Sequence, residues 1–299
     1  MIYFGGKIMI HGSIPALITP FLDGELDRPA LEDLVEWQIQ EGSHGLVAVG
    51  TTGESPTLSH EEHQEVIEII VKKTKGRIPV IAGAGSNNTR ESIDLMKFAK
   101  RVGADAALVV APYYNKPNQE GLLLHFKMLN DCCDLPIIVY NIPGRSVVDI
   151  EVSTMSKLAK LKNIIGVKDA TGDVSRASDT RNSCGNRFIQ LSGEDASALG
   201  FNAHGGTGCI SVIANVAPRL SSDFQNAMSK GDFDTAISLQ DKLLPLHRAA
   251  FLEPSPCPIK YALNRLDKCQ NEVRAPLVPI NERTRSKMDE ALAHANLIS

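Results

Sequence analysis

The stretch Asn163-Ile-Ile-Gly-Val-Lys-Asp-Ala-Thr-Gly-Asp173 carries one lysine at the end of a short apolar run. The residues before this lysine are apolar or small, and turn-forming residues bound the segment, as is typical of a β-strand buried on both faces. Burying the charge of Lys168 is costly, so burial favours its neutral amine. A neutral amine at a strand end is a nucleophile suited to Schiff-base chemistry with a carbonyl substrate. The alternative is a lysine that extends out of the strand end and pairs with Asp169 or Asp173.

Seven further apolar runs predict strands, and helical patterns lie between them. They are Ile14–Thr19, Gly45–Val49, Ile78–Ala82, Ala106–Val110, Ile137–Tyr140, Phe188–Leu191 and Gly208–Val212. Eight strand–helix units in a chain of this length predict a (β/α)8 (TIM) barrel. A doubly wound sheet is the alternative, but eight regular units favour a closed barrel. Only helical patterns follow Ala217, so we expect a catalytic barrel over residues 1–231 and a C-terminal helical domain over residues 232–299.

The composition indicates a soluble globular protein that does not bind nucleic acid. The chain has 299 residues, of which 43% are hydrophobic and 22% charged, with a net charge of −4. A nucleic-acid-binding protein would need a basic face, and no apolar run approaches the roughly 20 residues that span a bilayer. The first ten residues lack the features of a signal peptide, and Met9 is an alternative start. The six cysteines show no disulfide or metal spacing, so we expect reduced thiols and a cytoplasmic location.

Reactive side chains follow several of the predicted strands, at the barrel end where active sites lie. Besides Lys168 they are Thr51, Thr52, Glu54, Tyr113, Tyr114, Tyr140 and Arg145. Each residue alone is also common in turns or half-buried packing, but their convergence on one rim favours a function.

The types of these residues suggest roles in chemistry on a keto acid. The hydroxyl of Tyr140 can act as acid and base toward a carbinolamine, with Thr51 relaying the proton. Arg145 can bind a carboxylate bidentately, and Thr52 with the backbone of its glycine-flanked turn can bind a second one. The expected substrates are therefore small anionic keto acids.

Five motifs resemble those of the pyruvate-dependent class I aldolases, and most closely those of the 4-hydroxy-tetrahydrodipicolinate synthase (dihydrodipicolinate synthase) family. They are Gly50-Thr-Thr-Gly-Glu-Ser55, Pro112-Tyr-Tyr-Asn115, Tyr140-Asn-Ile-Pro-Gly-Arg145, Gly166-Val-Lys-Asp169 and Leu191-Ser-Gly-Glu-Asp195. The resemblance covers nearly the whole chain. It implies a lyase that condenses pyruvate with L-aspartate-4-semialdehyde in diaminopimelate and lysine biosynthesis. It also implies that no cofactor or metal is needed beyond a covalent Schiff base with pyruvate.

The resemblance further implies a role for each matching residue. Lys168 forms the Schiff base, and Tyr140, Thr51 and Tyr114 form a proton relay. Tyr114 is supplied by a neighbouring subunit of a homotetramer. The residues that bind the substrates are Thr52, Gly193 and the backbone of Ile210 for pyruvate, and Arg145 for the carboxylate of the second substrate.

The alternative function is that of an N-acetylneuraminate lyase or another sugar-acid aldolase, which shares the lysine and the tyrosine. Thr52 and Arg145 favour the synthase branch, because a guanidinium suits a small dicarboxylate whereas a polyol chain needs hydroxyl-binding groups. A barrel kept as a binding protein is a further alternative, but it would be expected to lose Lys168 or Tyr140.

A second site for L-lysine, acting as a feedback inhibitor, is implied by the resemblance. Its residues are Ser55, Pro56, His60, His63, Asn87, Glu91 and Tyr113. From the residues alone, His60 and His63 would only mark the solvated start of a helix, where Ser59 and Glu62 have the spacing of a capping box. Their spacing also differs from that of the zinc-protease motif. Pro56 departs from the small residue expected at its position.

The glycine-rich segment Gly205-Gly-Thr-Gly208 lies between the last two predicted strands, near where many barrels bind phosphate. A phosphosugar enzyme is therefore a third possibility. No lysine or arginine accompanies the glycines in the sequence, so a tight turn is favoured.

Overall fold

The structure is a computed structural model that describes residues 10–298. The alternative start at Met9 lies outside the described residues. The chain divides into two compact units. The first comprises Pro79–Ile210 with residues 10 and 11, and the second comprises Gly12–Ile78 with the chain from Ser211 onward. The predicted border between residues 231 and 232 stays a prediction.

The described residues form strands and α-helices that alternate through the middle of the chain, and four consecutive α-helices follow the last strand. The strands are β1 Gly12–Pro15, β2 Phe21–Leu22, β3 Glu25–Leu26, β4 Leu46–Ala48, β5 Val80–Gly83, β6 Ala106–Val110, β7 Ile137–Asn141, β8 Ile164–Asp169, β9 Ile189–Ser192 and β10 Gly208–Ser211. The helices are α1 Arg28–Gln40, α2 His60–Thr74, α3 Thr89–Val102, α4 Gln119–Cys132, α5 Pro143–Ser146, α6 Val152–Leu158, α7 Arg176–Cys184, α8 Ala198–Ala203, α9 Pro218–Lys230, α10 Phe233–Ala250, α11 Cys257–Arg265 and α12 Glu282–His294.

The first unit is built on consecutive parallel strands, β5 to β10, with each strand paired to the next. Their apolar side chains are buried, as expected of strands covered on both faces. One row of register partners runs Val110, Tyr140, Lys168, Leu191 and Gly208 from β6 to β10. The strand pairing therefore places Tyr140 beside Lys168.

The second unit contains β1, β4, the hairpin β2–β3 and the C-terminal helices. A parallel bridge joins Ala16 to Val47, next to β1 and within β4. The side chain of Asn215 fixes the chain after β1, because it accepts a hydrogen bond from the Ile18 N–H at 3.0 Å and donates one to the Ala16 carbonyl at 2.8 Å. Helix α9 packs against β1 and α10, and α10 packs against α12. The predicted C-terminal helical region is therefore confirmed.

All eight predicted strands are confirmed, six of them as β5 to β10 in the first unit and two as β1 and β4 in the second. The first strand ends at Pro15 rather than at Thr19, because only the Ala16 bridge continues the pairing. The hairpin β2–β3 was not predicted, since two-residue strands leave no alternating pattern. The capping box at Ser59 and Glu62 is confirmed.

All six cysteines are free thiols in the described part of the chain. In residues 10–298, no helix is both long enough and apolar enough to cross a membrane.

Candidate active site

Lys168 lies at the end of β8 with a side chain that is buried and has no carboxylate partner. The residue is 5% exposed, and its Nζ stands 4.0 Å from the centre of the Tyr140 ring. Among the described residues, no carboxylate lies within 4.0 Å of this nitrogen. The aromatic ring and the buried strand thus surround an amine that no counter-ion neutralises, which is the environment predicted for a Schiff-base lysine.

The alternative in which Lys168 pairs with Asp169 or Asp173 is wrong, because both carboxylates have other partners. Asp169 pairs with Arg176 Nε at 3.2 Å and accepts hydrogen bonds from the backbone and hydroxyl of Thr171 at 2.9 and 2.6 Å. Burial nevertheless raises the pKa of Asp169. Asp173 accepts hydrogen bonds from the N–H and hydroxyl of Ser175 at 3.0 and 2.6 Å.

A polar network that was not predicted from the sequence holds the ends of β7 and β8. Arg176 also pairs with Asp149 at 2.9 Å, and Asp149 accepts a hydrogen bond from Asn141 Nδ2 at 2.7 Å. Asn141 Oδ1 in turn accepts from the Ile150 N–H at 3.0 Å. Asn141 directly follows Tyr140, so its side chain leaves the opposite face of the strand. The network therefore fixes the strand positions that carry Tyr140 and Lys168 without occupying the lysine's own face.

Gly193 lies against the Lys168 side chain. A Cβ added to this residue would stand 3.1 Å from Lys168 Cε and 2.6 Å from Ala170 Cβ. Its N–H donates a 2.6 Å hydrogen bond to the Asp169 carbonyl. Only glycine leaves this close approach open.

Strand β10 supplies Ile210, whose side chain is fully buried, and the unpredicted thiol of Cys209. Cys209 Sγ lies 3.8 Å from Asp195 Oδ1. Burial, and next the charge of Asp195, raise the pKa of the Cys209 thiol well above its usual value, whereas Lys168 acts in the opposite direction. The thiol is therefore protonated at neutral pH, so it is not a candidate nucleophile.

Arg145 is exposed on the short helix α5, as expected for a residue that meets a substrate. The hydroxyl of Ser146 anchors this helix by donating to the carbonyls of Ile142 at 2.8 Å and Val148 at 2.9 Å. The Arg145 guanidinium has no ion-pair partner within the described residues. It is therefore available for the carboxylate that was predicted for it.

Tyr113 and Tyr114 occupy the loop after β6, and their environments differ. Tyr114 is 89% exposed and has a φ of 68°, a conformation that non-glycine residues adopt only when neighbouring contacts hold it. Tyr113 is 38% exposed, and burial followed by the charge of Glu91 raises the pKa of its phenol. Within this single chain the Tyr114 ring thus faces solvent.

Thr51 and Thr52 lie in the second unit, in a 3-10 turn over Thr51–Gly53. Thr52 is 4% exposed, and neither threonine hydroxyl has a hydrogen-bond partner among the described residues. The turn is anchored to the β1 end of the chain, because the Thr19 hydroxyl donates a 2.7 Å hydrogen bond to the Gly53 carbonyl. Two ordered hydroxyls thus remain available for a ligand.

Glu54, which follows this turn, is buried in an ion pair. It is 2% exposed, and its Oε1 lies 2.5 Å from Lys260 Nζ on helix α11. Glu54 was predicted to lie at the catalytic rim with the other strand-end residues, but sequence reasoning did not find its partner.

The residues predicted to bind L-lysine are divided between the two units. In the first unit, Glu91 accepts a short hydrogen bond from the Ser86 hydroxyl and acts electrostatically on Tyr113, while the Asn87 carbonyl accepts from Asn115 Nδ2 at 2.8 Å. The members in the second unit are Ser55 and Pro56 in a 3-10 turn, exposed His60, and His63, which is buried at the start of α2.

The segment Gly205–Gly208 is a turn that leads into β10, so it precedes the strand instead of following it. It therefore lies at the amino end of β10, whereas phosphate sites of barrels lie at carboxyl ends. No lysine or arginine is adjacent to these glycines in the sequence, but in the structure Arg181 makes a short hydrogen bond to the His204 carbonyl and lies against Gly205. This guanidinium is used by the backbone, so the tight turn is the better interpretation.

Comparisons with known proteins agree with this arrangement. A sequence profile described as the Dihydrodipicolinate synthetase family matches residues 9–295. The 4-hydroxy-tetrahydrodipicolinate synthase of Cereibacter sphaeroides is 64% identical over 290 residues, which cover 97% of this chain and 100% of the relative.

Two solved structures are similar along almost the whole chain. The chloride-inhibited dihydrodipicolinate synthase of Acinetobacter baumannii, in complex with pyruvate, is 45% identical with a TM-score of 0.95, covering 97% of this chain and 100% of that one. The lysine-bound enzyme of Cyanidioschyzon merolae is 34% identical with a TM-score of 0.93, covering 96% and 99%.

These similarities confirm the predicted (β/α)8 barrel and the predicted lyase class, and they do not favour the N-acetylneuraminate lyase alternative. With a matching profile over nearly all of its length and a relative at 64% identity, the chain belongs to the dihydrodipicolinate synthetase family.

Proposed function

We propose that this protein condenses pyruvate with L-aspartate-4-semialdehyde to give 4-hydroxy-tetrahydrodipicolinate, with pyruvate held as a Schiff base on Lys168. The observation that carries the proposal is the buried Lys168 amine, which has a tyrosine ring 4.0 Å away and no carboxylate partner among the described residues. The names of the relatives support the same reaction.

The chemistry begins with attack of the neutral Lys168 amine on C2 of pyruvate. The carbonyl oxygen gains a proton and the nitrogen loses one, which gives a neutral carbinolamine. A second proton, donated by the acid group, lets the hydroxyl leave as water, so that a protonated imine remains. Loss of a methyl proton then gives an enamine, whose carbon attacks the aldehyde carbon of the second substrate. The amine of that substrate finally displaces Lys168 as the ring closes.

Tyr140 is proposed as the acid and base of these steps, since its hydroxyl makes no hydrogen bond within the described residues and its ring adjoins Lys168. Thr51 and Tyr114 are proposed to complete the proton relay. Thr52, Gly193 and the Ile210 backbone would hold pyruvate, and Arg145 would hold the carboxylate of the second substrate. The close approach of Gly193 to the Lys168 side chain supports the first assignment, and the Arg145 guanidinium, which has no ion-pair partner among the described residues, supports the second.

The test is borohydride reduction in the presence of pyruvate, followed by peptide mass mapping. We expect the reduced adduct on Lys168 alone, and an adduct on another lysine would contradict the mechanism. Aspartate-semialdehyde and N-acetylmannosamine are then compared as second substrates. Turnover of the sugar instead of the semialdehyde would reject the proposed reaction.

Feedback inhibition by L-lysine is proposed for the set formed by Ser55, Pro56, His60, His63, Asn87, Glu91 and Tyr113. The support is the lysine-bound relative and the oriented Glu91 carboxylate, which is suited to an ammonium group. Millimolar lysine should inhibit turnover, and Glu91→Gln should weaken this inhibition while turnover without lysine is kept. Turnover that millimolar lysine leaves unchanged would reject the site.

We also propose a homotetramer in the cytoplasm that uses no cofactor. The exposed Tyr114 ring at a φ of 68° supports assembly, because a partner subunit can cover the ring and use its hydroxyl. Sedimentation velocity tests the assembly, and a monomer with full turnover would contradict it. Activity that survives exhaustive dialysis against chelator tests the absence of a metal.

A further inference from the structure

Glu54 has a backbone conformation and a degree of burial that need an explanation. Its φ and ψ of 54° and 35° are left-handed, and its residue is 2% exposed. It connects the turn that carries Thr51 and Thr52 with the next turn, Ser55–Thr57. A left-handed glutamate is strained by roughly 1–2 kcal/mol, so surrounding contacts must hold it.

Those contacts come from the C-terminal part of the same unit. Glu54 Oε1 lies 2.5 Å from Lys260 Nζ, and both side chains are completely buried. Glu54 Oε2 accepts a hydrogen bond from the Arg274 N–H at 3.1 Å. Lys260 also donates to the Glu272 carbonyl at 2.8 Å and stands 4.0 Å from the centre of the Phe21 ring. The carboxylate and the ammonium thus have each other as close ionic partners, and each also has a backbone partner.

Arg274 extends this group of contacts to the start of helix α2. Its guanidinium binds Glu62 bidentately at 2.7 and 2.6 Å and donates to the carbonyls of Thr57 at 3.2 Å and Gly24 at 2.7 Å. It also lies 4.2 Å from the centre of the Phe21 ring. Arg274 therefore also holds the turn after Glu54, through the carbonyl of Thr57.

A buried ion pair is a poor device for stability alone. Removing two charges from water is costly, and apolar residues of similar volume often stabilise a protein at least as well. An ion pair instead defines the position of each partner, because both geometry and charge must match. Here the ion pair fixes the position of Glu54 and therefore of the turn directly before it. Such precision matters for catalysis, because catalytic hydroxyls must be held within about 0.5 Å of the productive geometry.

We propose that Glu54 and Lys260 are positioning residues of the reaction: the ion pair between them sets the Thr51–Thr52 hydroxyls, so that helix α11 controls catalysis through the turn. The inference rests on the proposed roles of Thr51 and Thr52. It assigns a kinetic function to two residues that touch no substrate.

The test is the steady-state kinetics of Glu54→Gln and Lys260→Met at a temperature where circular dichroism shows each variant fully folded. A displaced hydroxyl should lower kcat by about 10- to 100-fold and raise KM for pyruvate. At saturating pyruvate and long incubation, borohydride should still trap a full adduct on Lys168, because the nucleophile is untouched.

The double variant Glu54→Gln/Lys260→Met removes both charges, so neither is left buried without its partner. The double variant is therefore used for the test if either single variant fails to fold. If the residues act as a pair, its loss of kcat should be no larger than that of the more damaging single variant. A loss that equals the product of the two single losses would show independent roles and overturn the proposal.

Asp289→Asn is the matched control. It removes an ion pair made by helix α11, because Asp289 on helix α12 accepts hydrogen bonds from Arg265 Nε at 2.9 Å and from the Tyr261 hydroxyl at 3.1 Å, and it does not touch the Glu54 turn. We expect kcat and KM to stay at wild-type values. Equal losses in this control would show a general effect of destabilisation and overturn the proposal.

Failure of the inference can be told from failure of the proposed function. If wild-type protein forms no pyruvate adduct on Lys168, the function itself is rejected. If wild-type protein turns over and the folded double variant has wild-type kcat and KM, the function stands and the positioning role is overturned.

Discussion

Two buried lysines, one in each unit, show how the same side chain serves different purposes. Lys168 and Lys260 each place Nζ 4.0 Å from an aromatic ring centre, Tyr140 for the first and Phe21 for the second. Lys260 has the Glu54 carboxylate at 2.5 Å, whereas no carboxylate of the described residues accompanies Lys168. Burial lowers the pKa of Lys260, and the charge of Glu54 opposes that shift.

The difference shows that burial by itself does not make a lysine reactive. A counter-ion keeps the ammonium charged and engaged, so Lys260 acts as a structural cation. The ring next to Lys168 carries a hydroxyl that can move protons, while the ring next to Lys260 carries none. Reactivity thus depends on which groups share the buried space.

The largest expected effect comes from removing each of the two lysines in a separate variant. Lys168→Ala should lower turnover by on the order of 10⁴-fold or more, because the nucleophile is lost, while the free energy of unfolding is kept. Lys260→Met should instead lower the free energy of unfolding by about 3–5 kcal/mol, because Glu54 is left buried without its partner.

Urea unfolding and borohydride trapping check both expectations. Lys260→Met should still form the adduct with pyruvate, and Lys168→Ala should not. A stable Lys260→Met variant that cannot form the adduct would contradict the division between a structural and a reactive lysine.

Tyr140→Phe should have the next largest effect. It makes the ring beside Lys168 equivalent to the one beside Lys260, and kcat should fall by about 10²- to 10⁴-fold because the acid–base hydroxyl is lost. The free energy of unfolding should be unchanged, since this hydroxyl has no hydrogen-bond partner among the described residues. Stopped-flow turnover gives kcat. An unchanged kcat would show that another group moves the proton.

Gly193→Ala should have a smaller effect that reports on the space around Lys168. The new Cβ would stand 2.6 Å from Ala170 Cβ and 3.1 Å from Lys168 Cε, so the free energy of unfolding should fall by about 1–3 kcal/mol. The adduct should also form more slowly. Gly144→Ala is the control for stability, because its Cβ would meet nothing within 4 Å. Equal unfolding midpoints for the two variants would contradict the predicted crowding.

The smallest effect concerns His125, a buried titratable group that also lacks a carboxylate partner within residues 10–298. It is 4% exposed, and burial lowers its pKa to about 4. The unfolded chain gains a proton below pH ~6.5 that the folded chain does not bind until about pH 4, so stability is full above pH 6.5 and falls through this window. The expected loss between pH 7 and pH 5 is about 2 kcal/mol.

Urea unfolding of wild-type protein and His125→Gln at the two pH values isolates this contribution. The glutamine can keep the contact that His125 Nδ1 makes with the Thr89 hydroxyl at 2.9 Å, and it does not titrate. The variant should therefore lose less stability on acidification. Identical losses in both proteins would show that His125 is not the group responsible.

The sequence predicted the architecture and the strand-end residues of the candidate site. Apolar runs of four to six residues located every strand of the sheet, because strands buried on both faces must be apolar throughout. The same reasoning located Lys168 and Tyr140, since each ends such a run. It placed Thr51 and Thr52 on a turn because glycines flank them, and the structure has them in a 3-10 turn.

The partners of these residues could not be predicted. Asp149 and Arg176, which brace the end of β8, lie in segments without a periodic pattern. Arg181 was overlooked near Gly205 because its guanidinium reaches that turn from helix α7. Contacts of this kind depend on which loops meet in space, and a pattern of hydrophobicity carries no such information.

By itself, the sequence determined where the chain is buried and where reactive groups end each strand, since period and polarity are local properties. Only the tertiary structure decided which charges meet: Arg274 binds Glu62 across 212 residues of chain, and Lys260 rather than Lys168 receives the buried carboxylate. The physical reason is that the energy of a charge depends on its neighbours in three dimensions, and those neighbours exist only once the chain has folded.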